Sequence, residues 1–317
     1  MNAVPTIQTR NALLYAVLGK PYMGDAGAEF ERFTWIDGDK IEERVLGSLD
    51  TISTVADGSA ELAASSITYN DSMFGGMSWD FTHYFDVKGI PSSDYNRIRG
   101  SQAKTNSYID DVFNQIVLSL ENTMGTAIHA QVAGATNTVM GNWQHPVSDG
   151  TSSGETTYDV YGGITRSTAG NEQFQGNVNV STGTLTLPKI RTAQNVVNGK
   201  GGNPTLGICG TTVMGIVQQL VEPYTVIKSD DDWTGFKGQW FQYGATKFAH
   251  DQRCSSGVLG LLDPTTFGMW MRKVNFTDSG FTKYPGVKAG YVLPWETFVQ
   301  FLCKRPNWNY KFTGISA

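Results

Sequence analysis

Three side chains that could bind a metal or carry out nucleophilic chemistry lie close together in KFAHDQRCSSGVLGLLDPTTFGMWM, residues 247–271. They are His250, Asp251 and Cys254, in a chain with only four histidines and three cysteines. Imidazole, carboxylate and thiolate are common zinc ligands. A cysteine can also act as a nucleophile when a histidine base and an orienting third group stand beside it. This stretch is therefore the first candidate for an active site or a metal site.

The spacing of these residues argues against a metal site. A structural zinc centre takes four Cys or His ligands, usually with a C-x(2–4)-C pair among them. Cys254 has no such partner, because Cys209 and Cys303 are isolated in the sequence. We expect instead a strand that ends near His250, a turn over residues 251–257, and a second strand over VLGLLD.

Two further motifs match functional patterns only in part. GTSSG, residues 150–154, fits the G-x-S-x-G pattern of hydrolases, but that pattern needs a strand before Ser152 and a helix after it. Its flanks, HPVSD and ETTYD, are loop-like. DDDWTG, residues 230–235, resembles the start of a calcium loop, but the position that should supply a Glu is Phe241. We expect an ordinary loop at the first motif and a solvated acidic loop at the second.

The composition excludes several classes of protein. Charged residues make up 17% of the chain and the net charge is −5, so the basic surface typical of nucleic-acid binding is missing. The three cysteines form no disulfide framework, which favours a reducing compartment. The sequence has neither a signal-peptide pattern nor a run of about 18 apolar residues. We expect a chain that folds in a cytoplasm and has no enzymatic activity, metal or cofactor.

The N-terminal third predicts an arm made of two extended strands. EFERFTWI, residues 29–36, alternates between apolar and polar side chains, and MSWDFTHYFDV, residues 77–87, does so more regularly. The second pattern places His83 among aromatic residues, where we expect it to be packed. Such an arm has too little core to stand alone and should lie on another subunit. The charged inter-subunit contacts that we expect at this arm are made by Lys40, Glu42, Glu43 and Arg44.

Later segments predict helices and buried strands. Apolar residues recur at helical spacing from Ser107 to about residue 130, and His129 near the end of this helix is predicted to be structural. Two further helices, over residues 186–199 and 211–223, enclose a short buried strand, TLGIC. The C-terminal strand AGYVLPWETFVQFLCKRP contains Pro294, which belongs at a sheet edge or a bulge.

Four segments, taken in their order along the chain, resemble tailed-phage major capsid proteins, which have the Hong Kong 97 fold. They are YGGITRST, LTLPKIRTAQNVV followed by GGNPTLGICG, ATKFAHDQRCSSGVLGLLDPTTFGMWM, and YVLPWETFVQFLCKRPNWNYKFTGI. The resemblance runs from about residue 10 to the end of the chain and is poor over residues 37–76.

The resemblance implies an α+β protein with a Hong Kong 97-like capsid fold. The implied organisation is an N-terminal arm over 1–25, an extended β-hairpin loop over 26–95, a peripheral domain over 96–199 with a long spine helix over about 107–130, an axial α/β lobe over 200–265, and C-terminal strands over 266–317 that return to the peripheral domain.

The resemblance also implies a function. Copies of the chain would assemble through hexamers and pentamers into the icosahedral shell of a tailed phage, in the host cytoplasm, and enclose a double-stranded DNA genome without sequence-specific contacts. The implied partners are a portal protein, a separate scaffolding protein and a decoration protein. Encapsulin shells share this fold and are an alternative. Two alternatives from other classes are a cytoplasmic hydrolase that uses His250, Asp251 and Cys254, and a β-rich tail or decoration protein.

Overall fold

The computed structural model describes most of the chain, in ranges separated by gaps. The described residues are 34–35, 40–46, 74–91, 111, 115, 118–120, 122–132, 134–135, 139–168, 171–221, 240–276, 282–283 and 290–316. Three predicted features lie outside these residues. They are the N-terminal arm over 1–25, the start of the helix at Ser107 and the acidic motif over 230–235.

The described residues form three α-helices and seventeen strands. Helix α1 includes residues 111, 115, 118–120 and 122–128. The other helices are α2 (Leu187–Gly199) and α3 (Thr211–Val221). The strands are β1 (Thr34–Trp35), β2 (Lys40–Leu46), β3 (Phe74–Asp80), β4 (Thr82–Pro91), β5 (Val160–Tyr161), β6 (Ile164–Thr165), β7 (Asn177–Asn179), β8 (Gly183–Thr184), β9 (Leu206–Cys209), β10 (Trp240–Tyr243), β11 (Thr246–His250), β12 (Leu259–Leu262), β13 (Phe267–Phe276), β14 (Thr282–Lys283), β15 (Gly290–Cys303), β16 (Tyr310–Phe312) and β17 (Ile315–Ser316).

Two larger sheets organise these strands. The first has the order β1-β13-β15-β14, and β4 pairs with β15 along ten residues. The second has the order β10-β11-β9-β12-β16-β7 and mixes parallel with antiparallel pairs. The strands β2 and β3 form a separate two-stranded ribbon, as do β5 with β6 and β17 with β8. The chain is therefore a mixed α and β protein, as the sequence predicts.

Both faces of the second sheet are covered by apolar residues, which come from different elements on each face. On one side, α2 and α3 cover the sheet with Ile190, Ala193, Val213 and Val217. On the other side, the end of α1 packs between the two sheets, where its apolar residues meet Trp143 and Phe301 of the same buried cluster. Both helices that cover the second sheet were predicted from their apolar spacing, and their bounds agree with the prediction within two residues.

The predicted strand over residues 77–87 needs a correction. It divides at Phe81 into β3 and β4, and Phe81 and Thr82 are both buried. Two successive inward residues shift the alternation by one position. As a result Trp79 is buried but His83 and Phe85 are exposed, so the prediction that His83 is packed among buried aromatics is wrong.

Pro294 is not on an edge strand, because β15 has neighbours on both sides. It pairs with Val87 of β4. On the other side of β15, the pairs with β13 stop at Trp295 and those with β14 start at Val292. On this side of β15, Pro294 thus lies in the gap between the residues that pair with β13 and those that pair with β14. Its missing backbone N–H interrupts none of the described pairs there.

Candidate functional site

The structure confirms the turn predicted after β11: His250 is the last residue of β11 and pairs with Cys209 of β9, and Asp251 and Cys254 lie in the turn that follows. The backbone N–H of Asp251 donates to the Cys209 carbonyl at 2.9 Å, which continues the pairing of β11 with β9. The Asp251 carboxylate accepts from the backbone N–H of Arg253 at 2.9 Å, and the Asp251 carbonyl accepts from that of Cys254 at 3.1 Å. These bonds are those of an aspartate-stabilised turn.

Cys254 is unsuited to nucleophilic chemistry in this turn. Its side chain is buried, and burial, with a smaller effect of the Asp251 charge, raises its pKa to about 12. The thiol is therefore neutral at pH 7, whereas the thiolate is the nucleophile and the metal ligand. Within the part of the chain that the structure describes, no group of three Cys, His, Asp or Glu side chains could hold a metal ion.

Asp251 instead belongs to a buried polar chain with His129 and Trp143. The indole N–H of Trp143 donates to Nδ1 of His129 at 3.0 Å. Nε2 of His129 faces Oδ2 of Asp251 at 3.4 Å, which is longer than a typical N–H···O hydrogen bond. All three side chains are at most 1% exposed. Burial would raise the pKa of Asp251, but His129 and Arg253 together hold it below its usual value.

This arrangement has the donor pattern of a hydrolytic triad but lacks its chemistry. In a triad, one imidazole nitrogen accepts a proton from a nucleophile and the carboxylate orients the other. Here the accepting nitrogen of His129 is occupied by an indole N–H, which is a donor only and not a nucleophile. Because the proton must then reside on Nε2, the imidazole is held between Trp143 and Asp251. The chain ties the end of α1 to the turn after β11.

The YGGITRST segment connects three parts of the molecule. The hydroxyl of Tyr161 donates to the Cys303 carbonyl at 3.0 Å and accepts from the Cys303 N–H at 2.8 Å. The Gly162 carbonyl accepts from Ser78 of β3 at 3.1 Å. A Cβ at Gly162 would lie 2.8 Å from the Trp79 ring, and the residue has a φ of +59°, so glycine is needed there. The segment joins the β2–β3 ribbon to the first sheet.

Arg166, in the same segment, is fully buried without a carboxylate in hydrogen-bonding contact. Its Nη1 donates to the carbonyls of Pro146 and Ser148, and its guanidinium lies 4.9 Å from the Tyr161 ring centre. Nε and Nη2 have no hydrogen-bond partner among the described residues. Burial lowers its pKa to about 10, so the side chain remains charged at neutral pH. Arg166 therefore brings a positive charge into the loop region.

A second buried charge lies nearby and is paired. Nζ of Lys311 donates to Glu155 at 2.7 Å and to the Gln144 carbonyl at 3.2 Å. The Lys311 and Glu155 side chains are 1% and 6% exposed. Breaking such a pair leaves an uncompensated buried charge, which is strongly destabilising. The pair fastens Glu155, directly after GTSSG, to β16. GTSSG itself, with Ser152, forms turns and bends as predicted.

The four predicted inter-subunit contact residues lie on β2. Lys40 forms an exposed ion pair with Asp80 of β3 at 3.8 Å. Glu42, Glu43 and Arg44 pair in register with Ser78, Met77 and Gly76, respectively. The ribbon therefore holds these residues at defined register positions, and their role in subunit contacts stays a prediction.

An exposed patch lies on the first sheet, where β4 pairs with β15. Phe85 is 60% exposed, the largest exposure among the described large hydrophobic residues. The neighbouring His83 ring stacks on Phe298 at 4.4 Å and its Nε2 lies 3.1 Å from a Glu296 carboxylate oxygen. Phe85 and the His83–Glu296 pair therefore form one exposed group of side chains on this face of the sheet.

Sequence reasoning missed the residues that organise the buried loops. Arg166 and Glu155 stand in a segment rich in Gly, Ser, Thr and Asn, which predicts solvent-exposed turns, and Lys311 is a strand lysine, which is normally exposed. The one available signal was Arg166 itself, since it belongs to the YGGITRST motif. Trp143 was also missed, although a lone tryptophan in a polar loop is a candidate for packing.

Comparison with solved structures identifies the class of fold. The chain superimposes on the capsid of the cyanophage A-1(L) with a TM-score of 0.61 and 10% identity, over 90% of this chain and 91% of that one. The capsid of the native GTA particle gives a TM-score of 0.55 with 8% identity, over 93% and 92%. The Microbacterium phage Oxtober96 protein gives 0.54 with 11% identity, over 91% of each chain.

The chain thus has the mixed α and β fold of phage capsid proteins, and the resemblance predicted from its motifs is confirmed at the level of the fold. No protein-family model matches the sequence, and neither does any curated protein sequence. None of the described helices is long and apolar enough to cross a membrane.

Proposed function

We propose that the chain is the major capsid protein of a tailed phage, with a Hong Kong 97-type fold. Copies of it would form an icosahedral shell around a double-stranded DNA genome. The observation that carries this proposal is the match to the cyanophage capsid, which extends over about nine-tenths of both chains. A match of that extent includes the whole architecture rather than one common motif.

Surface features of the described residues support assembly. The β2–β3 ribbon pairs with no strand of the two larger sheets. Such a ribbon, with Lys40, Glu42, Glu43 and Arg44 on its first strand, suits contacts with a neighbouring copy. The exposed Phe85 on the first sheet is a second surface that a neighbour would cover.

The predicted division of the chain is part of the proposal. The peripheral domain, 96–199, contains α1 and the buried loop region, and the axial lobe, 200–265, contains α3 and the central strands of the second sheet. Portal, scaffolding and decoration proteins are the proposed partners. The buried, neutral Cys254 thiol and the Asp251 carboxylate, which accepts a backbone N–H within its own turn, give the hydrolase alternative that uses His250, Asp251 and Cys254 no support.

The test is electron microscopy in negative stain of the protein expressed alone and together with a scaffolding candidate. Hollow shells or rings with five- and six-fold symmetry are expected. A variant with Phe85→Asp should assemble less well than one with the matched exposed change Val132→Asp, because Phe85 lies on the exposed face of the first sheet that a neighbouring copy is proposed to cover. Small discrete particles under every condition would contradict the proposal.

A further inference from the structure

The solvent-facing charge of the chain is distributed unevenly. From residue 173 onward, the described residues contain eleven Lys and Arg but three carboxylates. Asp251 and Asp263 are buried, at 1% and 3% exposure, so Glu296 on the first sheet is the one carboxylate of these residues that reaches solvent. The net charge of −5 is an average over the chain, and it conceals a described surface around the second sheet that is cationic.

Helix α2 carries part of this positive surface. Residues 173–221 contain no acidic residue, but they contain Lys189, Arg191 and Lys200, in α2 or directly after it. Nη2 of Arg191 donates to the hydroxyl of Tyr243 at 2.8 Å, and no described carboxylate forms an ion pair with any of the three cations. The other polar side chains that α2 exposes can all donate hydrogen bonds; they are Thr192, Asn195 and Asn198. This helix therefore presents positive charge and hydrogen-bond donors to solvent.

The turn after β15 extends the positive surface. Arg305 is exposed there, and its guanidinium lies 4.2 Å from the centre of the Trp308 ring. Trp308 also lies beside the end of α2, since a Cβ at Gly201 would be 3.5 Å from its ring. Nζ of Lys200 donates to Oδ1 of Asn177 at 2.5 Å, and Nδ2 of Asn177 donates at 2.8 Å to the carbonyls of the residues before and after Trp308. Lys200 and Arg305 are therefore held around one indole ring.

The guanidinium of Arg305 is available to an outside partner. Apart from its contact with the Trp308 ring, it takes part in none of the hydrogen bonds or ion pairs among the described residues. Stacking on an aromatic ring holds the plane of a guanidinium, whose fork of N–H groups matches phosphate oxygens. Arg, Lys, Thr and Asn are among the side chains that hydrogen-bond to the phosphates of nucleic acids. A surface that offers these side chains without a carboxylate fits a polyanion.

We propose that the basic surface formed by Arg191, Lys200 and Arg305 binds the phosphate backbone of double-stranded DNA. This inference rests on the proposed function, because the enclosed genome is the polyanion that such a shell contains. Arg191 and Lys200 are about 14 Å apart along α2, the length of about four base pairs of a duplex. Contacts with phosphates position a duplex without reading its bases, so binding has no sequence preference. The basic surface then lies on the inner wall of the shell.

Binding of a duplex by the unassembled chain tests the proposal. Fluorescence anisotropy of a labelled duplex of ~30 base pairs and mixed sequence gives the association constant at several NaCl concentrations. Each neutralised phosphate contributes a slope of about −0.9 to the logarithm of this constant against the logarithm of the salt concentration, so three contacts predict about −2.7. Arg191→Gln and Arg305→Gln should each reduce the size of the slope by about 0.9 and weaken binding about eightfold at 0.1 M salt.

Two control variants separate a local contact from an effect of net charge. Lys40→Gln removes a 60% exposed cation from the β2–β3 ribbon and should leave the slope unchanged. Arg305→Lys keeps the charge and should keep the slope, although it loses the planar stack. Urea unfolding confirms that each variant is folded. An equal loss with Lys40→Gln, or a wild-type slope near zero, would overturn the proposal.

An acidic protein is the competing occupant of this surface. Poly-glutamate with as many charges as the duplex is therefore used as a competitor, beside unlabelled duplex. The proposal predicts that unlabelled duplex displaces the labelled duplex at a lower concentration than poly-glutamate does. Displacement by poly-glutamate at an equal or lower concentration would assign the surface to an acidic protein instead.

The outcome separates this inference from the proposed function. If the wild-type chain forms shells and the slopes of Arg191→Gln and Arg305→Gln equal that of the wild type, the inference alone is wrong. If the wild-type chain forms no assembly in the microscope, the proposed function fails, and the inference loses the enclosed DNA on which it rests.

Discussion

Lowering the pH from 7 to 5 should destabilise the folded chain through His145, which lies in the buried loop region. Its ring is bound at both nitrogens: Nδ1 accepts from the Gly134 N–H at 3.0 Å, and Nε2 lies 2.9 Å from the Val160 carbonyl. Both contacts are satisfied by the neutral imidazole with its proton on Nε2. Burial, and then the positive charge of Arg166, lowers the pKa of His145 to about 3.

The magnitude follows from proton linkage. A histidine in the unfolded chain has a pKa of about 6.5, so between that value and about 3 the unfolded chain binds a proton that the folded chain does not. The free energy of unfolding therefore falls as the pH decreases through this window. The loss is about 0.2 kcal/mol at pH 7 and about 2 kcal/mol at pH 5. The size of this loss is set by the pKa of His145 in the unfolded chain, because the ring in the folded chain stays neutral over this pH range.

The assay is urea unfolding of the unassembled chain at pH 7, 6 and 5, followed by tryptophan fluorescence. His145→Gln should be less stable than wild type at pH 7 because it disturbs two buried contacts. Between pH 7 and 5, however, the free energy of unfolding should fall by about 2 kcal/mol less in His145→Gln than in the wild type. The same change at exposed His83 controls for the removal of a histidine. Equal pH dependence in wild type and His145→Gln would refute the reasoning.

Three further predictions concern the buried contacts. Glu155→Leu or Lys311→Met alone should cost about 3–5 kcal/mol of unfolding free energy, while the two changes together should cost much less than the sum; additive losses in this double-mutant cycle would contradict the pairing. Gly162→Ala should cost about 1–3 kcal/mol, because its φ of +59° and the Trp79 ring both oppose a Cβ; unchanged urea midpoints would show otherwise. None of the three cysteines should react with a disulfide reagent at pH 7 until the chain is unfolded, since all are buried and burial raises each pKa; rapid labelling of the folded chain would exclude that placement.

Local sequence patterns were enough to predict several helices, strands and turns. The helices α2 and α3 have apolar stripes, and the strand β9 between them is buried throughout, as the run TLGIC indicates. The turn after His250 was predicted from its residue types, because aspartate and glycine mark such turns. These features depend on neighbours in the sequence.

Features that depend on distant parts of the chain could not be predicted in this way. The shift at Phe81 places two successive residues inward, and nothing in the alternation of MSWDFTHYFDV marks it. Asp251 contacts His129 across 122 positions, and Lys311 pairs with Glu155 across 156. A buried charge in a Gly- and Ser-rich loop is stabilised by backbone carbonyls and by partners that only the fold brings together.

The central claim is that copies of this chain close into a shell, and cryo-electron microscopy of the assembled protein tests it most directly. The account predicts particles with icosahedral symmetry whose density fits this fold, with the β2–β3 ribbon of one copy lying on another copy. Particles without icosahedral symmetry, or a ribbon that contacts only its own subunit, would contradict it.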